Sequence, residues 1–379
     1  LKVVFDLDAV IRNRYSGFYT FGSGLLKGMD SIKNPPRMIL LYQKKLSFQA
    51  HELESKLGPW AITCPVRFKF RWLQNIWNFI PFPDINLFTG NYHLFHSFHH
   101  FMPPSRNRPA ILTVHDLRRY VLPELYPASK TKKFEKAVQR ADHFIAVSES
   151  TKQDLIKFFR IPEEKIDVVH LACNISPEQI DSMDRDTIRA SLMKGLGTDH
   201  KRFLVAISSK DSRKNIPRIA EAFINAVNES RINDTALIIL GRLPENMTLP
   251  KTGNIFNPGE VDDIMTWLAC SSGLVFTSLY EGFGLPILEG FAAGVPVITS
   301  SISSMPEIAG DAALLVDPKN INSIKEAIKV ILENKKIVNE KIQEGKARLS
   351  MFSWEQSAVK TVHIYSKVIA RFKEENSNP

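Results

Sequence analysis

The chain has 379 residues, 44% hydrophobic and 23% charged, with a formal net charge of +9. These values exclude a disordered polyelectrolyte, and the length fits two domains of ordinary size. Three cysteines, Cys64, Cys173 and Cys270, show no CxxC spacing, which argues against a disulfide scaffold or a cysteine zinc site and favours a reducing compartment.

Short β-branched or apolar runs alternate with segments of helical period, the pattern of α/β folds with parallel sheets. In the first half, strands are predicted at Lys2–Leu7, Met38–Tyr42, Ala110–Val114, His143–Val147 and Ile166–Val169. Asp6 and Asp8 imitate a metal-binding pair, because positions i and i+2 of a strand share a face; they end the strand, and metal is not expected there. Ser16 and Gly17 follow in a loop. From Arg67 to Phe79, cations and aromatic rings interleave. As a helix, this stretch sets Arg67, Arg71, Gln74 and Asn78 on one face and Phe68, Trp72 and Ile76 near another. An interfacial helix on an anionic bilayer satisfies that pattern, and so does a helix packed on its own domain with a solvated basic side. His93, His96 and His99 recur at i, i+3 beside His100, among Phe95, Phe98 and Phe101. With no acidic or thiol neighbour, a structural or ligand-facing role is expected rather than a metal. His115 and Asp116 end the strand Ala110–Val114.

Residues 172–201 are polar and weakly periodic, as a linker with a short helix would be. The second half offers strands at Phe203–Ser208, Ala236–Leu240, Gly273–Thr277 and Val295–Ile298. Arg213 and Lys214 precede a helix that Asn215 can cap and Pro217 can open. Two cations at a helix N-terminus oppose its dipole, so an anion is expected beside them. The segment Leu274–Ile298 carries the most chemistry. A strand runs through Glu281 into the turn Gly282-Phe283-Gly284, and a short helix of about Pro286–Ala293 follows, with Glu289 in its first turn and Gly294 as its stop. Free N–H groups at such a helix start suit phosphate, glycine lets backbone approach a ligand, and acceptor-only carboxylates suit sugar hydroxyls. Complementation of the helix dipole alone would also explain Glu289.

EGFGLPILE, with glutamates eight positions apart, resembles the E-x7-E signature of the retaining, nucleotide-sugar-dependent glycosyltransferases of family 4. The likeness continues to Pro318 and recurs at RKN (213–215), TVHDL (113–117), ADHFIAVSESTKQDL (141–155) and FSWEQSA (352–358). It resembles especially the bacterial mannosyltransferase-like subgroup of lipopolysaccharide O-antigen and surface-polysaccharide biosynthesis. The resemblance implies a GT-B fold, α/β, with two Rossmann-like doubly wound domains facing a cleft. The acceptor domain would span 1–175, the donor domain 176–355, and a C-terminal helix, 356–379, would cross back to the first domain. It implies that Glu289 holds the ribose hydroxyls and Glu281 faces the donor sugar, while Gly282, Phe283, Gly284 and Leu285 meet sugar and phosphate through their backbone. Arg213 and Lys214 would bind the diphosphate, His115 would stand beside the transferred sugar, and Gly17 would belong to a loop lining the cleft. The family usually has glycine where this chain has Ser208 or Ser209.

The function expected from this resemblance is metal-independent, retaining transfer of a hexose from a nucleotide diphosphate sugar to a glycan acceptor, lipid-linked by preference. No cofactor is expected, and GDP-mannose is favoured over a UDP-sugar as donor. A nucleotide-sugar epimerase on the same fold, a basic binding module and a degenerate, inactive transferase are the alternatives. Residues 1–175 carry 25 Lys and Arg against 15 Asp and Glu, while 176–379 carry 24 against 25. The excess charge therefore falls on the acceptor half, which suggests contact with an anionic membrane; no nucleic-acid motif is present and nucleic acid is not expected as a partner. No apolar run reaches the ~18–20 residues of a membrane span and no signal-peptide pattern is seen, so the expected location is cytoplasmic, with the inner membrane face as the surface such contact would use.

Overall fold

The computed structural model describes residues 1–12, 17–77, 79–104, 107–126, 131–174, 180, 182–245 and 247–377; Ser16 and Asn78 lie outside them. The chain forms two compact units, Leu1–Ala172 with Ser353–Pro379, and Cys173–Phe352. Each junction falls three residues before the expected one.

The first unit is built on seven strands: β1 (Lys2–Asp6), β2 (Arg37–Gln43), β3 (Ala61–Val66), β4 (Leu94–Ser97), β5 (Ala110–Val114), β6 (His143–Ala146) and β7 (Ile166–Val168). Their order is β3-β2-β1-β4-β5-β6-β7, and every pairing is parallel. Val4 pairs with Ile39 on one side and with Phe95 on the other, and runs such as VVF and AILTV are buried on both faces, as parallel strands covered by helices must be. Strand order reverses between β1 and β4. At such a point loops diverge beyond the strand ends and leave a crevice.

Sequence reading missed β3 and β4. Pro65 sits inside β3, which is tolerated because β3 is an edge strand and needs no N–H on its open side. In β4 only four residues pair, and its LFHS sequence shows no alternation to read. The C-terminal helix Trp354–Ser377 belongs to this unit and packs on the helix Gly17–Met29. Gly24 and Gly28 permit the contact: a Cβ on either would collide with the Trp354 ring or its carbonyl. Deeper in, the Tyr365 hydroxyl meets His96 Nδ1 at 2.7 Å, and His96 Nε2 meets Thr113 Oγ1 at 2.7 Å. This chain of contacts ties the helix to β4 and β5.

The second unit has six parallel strands: β8 (Arg202–Ile207), β9 (Thr235–Leu240), β10 (Ile255–Gly259), β11 (Gly273–Phe276), β12 (Val297–Ser300) and β13 (Leu314–Val316), ordered β10-β9-β8-β11-β12-β13. Its order reverses between β8 and β11. The helix Ile216–Ser230 lays Ile216, Ile219 and Phe223 against Ile324 and Ile328 of the helix Ile321–Glu333, closing a core over Leu204, Leu237 and Val275. β12 starts two residues later than predicted. Val295 N–H is bound to the Gly290 carbonyl at 3.1 Å, closing the end of the preceding helix through Gly294 at φ 69°.

Candidate active site

In the second unit, the loops after β8 and β11 meet at the strand-order reversal. Leu279 N–H donates to the Arg213 carbonyl at 2.8 Å, and Arg213 Nη1 donates to the Tyr280 carbonyl at 2.7 Å. Around this join Arg213, Lys214 and Glu281 form one cluster. Glu281 Oε2 lies 2.5 Å from Arg213 Nη1, and its Oε1 lies 2.7 Å from Lys214 Nζ. Arg213 Nε also reaches Asp211 at 3.1 Å, and the Lys214 ammonium stands 4.6 Å from the Phe276 ring centre. In this structure the carboxylate nearest both cations is Glu281. Burial pushes the Glu281 carboxyl up, but Arg213 and Lys214 outweigh it and hold the group at about 2. Burial likewise lowers Lys214, against the pull of Glu281.

Arg213 and Lys214 lie in a 3-10 turn, Ser212–Lys214, not on the following helix. Asn215 does not cap that helix with its side chain. At φ 62° its amide instead donates to the Thr277 carbonyl at 3.0 Å and the Pro318 carbonyl at 2.7 Å, drawing three loops together. The Ser208 hydroxyl turns inward onto the Arg242 carbonyl at 3.0 Å.

The turn Gly282-Phe283-Gly284 leads into the helix Leu285–Ala292, one residue ahead of prediction. Gly284 has φ 99°, which a side-chain-bearing residue would adopt only under strain. Two hydroxyls that sequence reasoning left without a role fix the turn from below. Ser303 donates to the Glu281 carbonyl at 2.6 Å, and Ser304 donates to the carbonyls of Glu281 and Phe283, each at 2.9 Å. Their signal was a serine run just ahead of Met305-Pro306, which opens a helix. Phe283 is buried and Leu285 is half-buried beside the helix start.

Glu289 falls in the second helical turn, not the first, so dipole complementation does not account for it. It makes no hydrogen bond or ion pair among the described residues. Burial raises its carboxyl to about 7, with Lys214 pulling the other way. The cluster thus holds one carboxylate fully paired and one unpaired, with a cation acting on both.

The first unit carries a second constellation beyond the end of β5. His115 follows β5, with the Phe18 ring 4.3 Å away and the Phe21 ring 5.4 Å away. Burial pushes its imidazole down to about 3, and its buried Nε2 has no partner. His115 and Phe18 line a cavity of about 230 Å³. Gly17 opens the helix carrying Phe18 and is itself exposed, with nothing near its missing Cβ. The His93, His96 and His99 series does not converge: His93 caps the Lys2 amide, His96 is buried with Tyr365, and only His99 and His100 adjoin the cavities. Asp8 is bound by Gln43 and Arg12, whereas Asp6 is 1% exposed at the start of the helix Leu7–Ile11, with the backbone N–H groups of Asp8 and Ala9 beside its carboxyl. Among the described residues, no group of three or more His, Cys, Asp or Glu could hold a metal ion.

Two family profiles match the chain. "Glycosyltransferase Family 4" covers residues 44–176 and "Glycosyl transferases group 1" covers residues 201–334, so between them they take in most of both units. The chain belongs to glycosyltransferase family 4. This glycosyltransferase is 28% identical over 280 residues to the O-antigen chain mannosyltransferase B of Escherichia coli, covering 70% of the chain and 72% of that protein. It is 27% identical to the O-antigen chain mannosyltransferase RfbU of Salmonella typhimurium, covering 64% of the chain and 65% of that relative. Against the serotype-specific mannosyltransferase WbdA of E. coli it is 25% identical and spans 30% of the longer protein. Its fold matches Anabaena HepE, solved with UDP and glucose, at a TM-score of 0.70 and 14% identity, covering 97% of the chain and all of HepE. It also matches WaaG, a glycosyltransferase of lipopolysaccharide biosynthesis, at 0.66 and 13% identity, covering 96% and 99%. These structures establish the architecture as GT-B.

Proposed function

We propose that this glycosyltransferase moves a mannose-type hexose, with retention of configuration, from GDP-mannose to a lipid-linked glycan acceptor of surface-polysaccharide synthesis. The observation that carries this reading is the Arg213–Lys214–Glu281 cluster facing the helix start Leu285–Ala292 at the β8/β11 reversal, with Glu289 unpaired beside it. Two cations and a helix N-terminus meet the demand of a departing diphosphate. They supply its charge neutralisation without a metal ion. Glu289 has free acceptor oxygens for a pair of ribose hydroxyls. When the C1–O bond to the β-phosphate breaks, Arg213 and Lys214 take up the new negative charge. The acceptor hydroxyl attacks from the same face, and its proton passes to the departing phosphate. His115 of the first unit is neutral at working pH and does not act as an acid. The mannosyltransferase names of the relatives support the choice of sugar.

Membrane contact is the second part of this reading. The helix Phe70–Ile76 buries Phe70 and Leu73, with Trp77 following, so its inner face is not the one read from sequence. Phe68, Trp72, Phe79, Ile80 and Phe82 remain exposed, Phe79 at 89%, with Arg67, Lys69 and Arg71 among them. Apolar rings ringed by cations fit the interface of an anionic bilayer. No helix among the described residues is long and apolar enough to cross one.

The test is turnover of GDP-mannose and a panel of UDP-sugars, with the anomer of the transferred or released sugar read by proton NMR before mutarotation. The α anomer from GDP-mannose is expected. A β product, or turnover of UDP-sugars alone, would refute it.

A further inference from the structure

In the cluster at the β8/β11 reversal, one carboxylate spans both cations. Glu281 Oε2 lies on Arg213 at 2.5 Å and its Oε1 on Lys214 at 2.7 Å. Asp211 adds a second carboxylate at Arg213 Nε. Two positive side chains thus face two negative ones, and their formal charges cancel. A diphosphate brought here meets Glu281 where its own oxygens would have to sit. The two anions compete for the same N–H donors, and with Arg213 9% and Glu281 8% exposed, water screens their repulsion poorly. The grip of the cations on Glu281 shows in its carboxyl, which stays at about 2 although burial pushes it up.

A second observation is which parts of the cluster are fixed. The Glu281 backbone is pinned on both sides: its N–H donates to Ser303 Oγ at 3.3 Å, and its carbonyl accepts from Ser303 at 2.6 Å and Ser304 at 2.9 Å. Arg213 is pinned by the Tyr280 carbonyl at 2.7 Å and by Asp211, and its own carbonyl by Leu279 N–H. The Lys214 ammonium rests over the Phe276 ring, a contact independent of Glu281. What is left to change is the Glu281 side chain. The frame holds the cations in place and lets the carboxylate turn away.

We propose that Glu281 is a built-in competitor for the diphosphate: it occupies Arg213 and Lys214 in the free protein and rotates off them when a donor binds. The inference rests on reading this cluster as the donor diphosphate site, and it adds a rule of selectivity. A displaced, buried carboxylate needs hydrogen-bond donors. The hexose on the β-phosphate brings hydroxyls that donate, whereas a nucleoside diphosphate ends in acceptor oxygens. The site therefore favours the intact nucleotide sugar over the nucleoside diphosphate left after transfer, and the return of Glu281 to the cations expels that product.

The experiment is calorimetric titration of the full chain and of Glu281→Gln with GDP and with GDP-mannose. Removing the competing charge is expected to tighten GDP at least tenfold. GDP-mannose tightens by less, because glutamine is a weaker acceptor for the sugar hydroxyls. A fall in kcat accompanies the gain in GDP affinity, a combination that loosening of the fold does not produce. Glu333→Gln, at an exposed carboxylate elsewhere in the unit, leaves both affinities unchanged. Since Glu281→Gln leaves Lys214 buried without its carboxylate, the comparison is repeated in a Lys214→Met background, where Arg213 alone is released. There the same substitution is expected to tighten GDP at least threefold. Equal or weaker GDP binding on removal of the carboxylate, in either background, overturns the proposal, as does equal tightening of GDP and GDP-mannose. GDP binding by the parent that Glu281→Gln fails to strengthen sinks this inference alone. No GDP binding by parent or variant sinks the donor-site reading as well.

Discussion

Lys214 acts on two carboxylates of opposite character. It helps hold Glu281 ionised at about 2, while Glu289 rises to about 7 because burial outweighs the same cation. The consequence is a pH dependence with a definite sign. Below pH 7 the unliganded Glu289 is largely protonated and loses acceptor capacity for ribose hydroxyls. Affinity for GDP is therefore expected to rise as pH goes from about 6 to 8, approaching tenfold per unit on the acid side. Glu289→Gln flattens that slope, and calorimetry across the range checks it. Removal of Lys214 acts on charge that develops during reaction, so Lys214→Ala is expected to cut kcat/KM by roughly 100-fold or more, measured by steady-state kinetics. Asp6 gives a stability prediction at the same scale. Its folded-state value is raised, so its ionisation opposes folding as pH climbs above the ordinary carboxylate range. Asp6→Asn is expected to raise Tm at pH 7, with the gain fading toward pH 4; an equal Tm at neutral pH would contradict the raised state of this buried carboxyl.

At the scale of elements, the C-terminal helix depends on what it touches. Tyr365→Phe deletes one hydroxyl, leaving His96 Nδ1 buried without its partner. A loss of about 1–2 kcal/mol is expected, read as a lower Tm. Elements whose physics is local were legible in sequence. β5 was predicted to the residue because AILTV is an apolar run rich in β-branched Ile111, Thr113 and Val114, and the Gly282–Leu285 turn announced itself through glycine, proline and flanking glutamates. β3 was hidden by Pro65, and β13 by its brevity and the 44% exposure of Leu315. The site's residues were legible, but not its internal pairing. That Glu281 would spend its oxygens on Arg213 and on Lys214, the latter 67 residues away in sequence, is something no local pattern encodes. Asn215 was misassigned for the same reason: its amide serves carbonyls of two distant loops, at Thr277 and Pro318, instead of its own helix.

Over the whole molecule, both sheets reverse strand order, at β1/β4 and at β8/β11, and the Arg213–Lys214–Glu281 cluster lies at the second of these. The first 175 residues carry the excess positive charge, and the exposed Phe68, Trp72 and Phe79 lie in the same half. Sedimentation with vesicles containing anionic lipid is expected to capture the protein at low salt. Replacing Trp72 and Phe79 by Ser, or neutralising Arg67, Lys69 and Arg71, should abolish capture, and capture by neutral vesicles alone would contradict the charge argument. The donor site bears the central claim. Its most direct test is calorimetric titration of the full chain with GDP-mannose, alongside Glu289→Ala and Lys214→Ala. The predicted result is saturable binding by the parent chain that each substitution weakens at least tenfold. Failure of the parent chain to bind GDP-mannose, or binding that neither substitution disturbs, would contradict it.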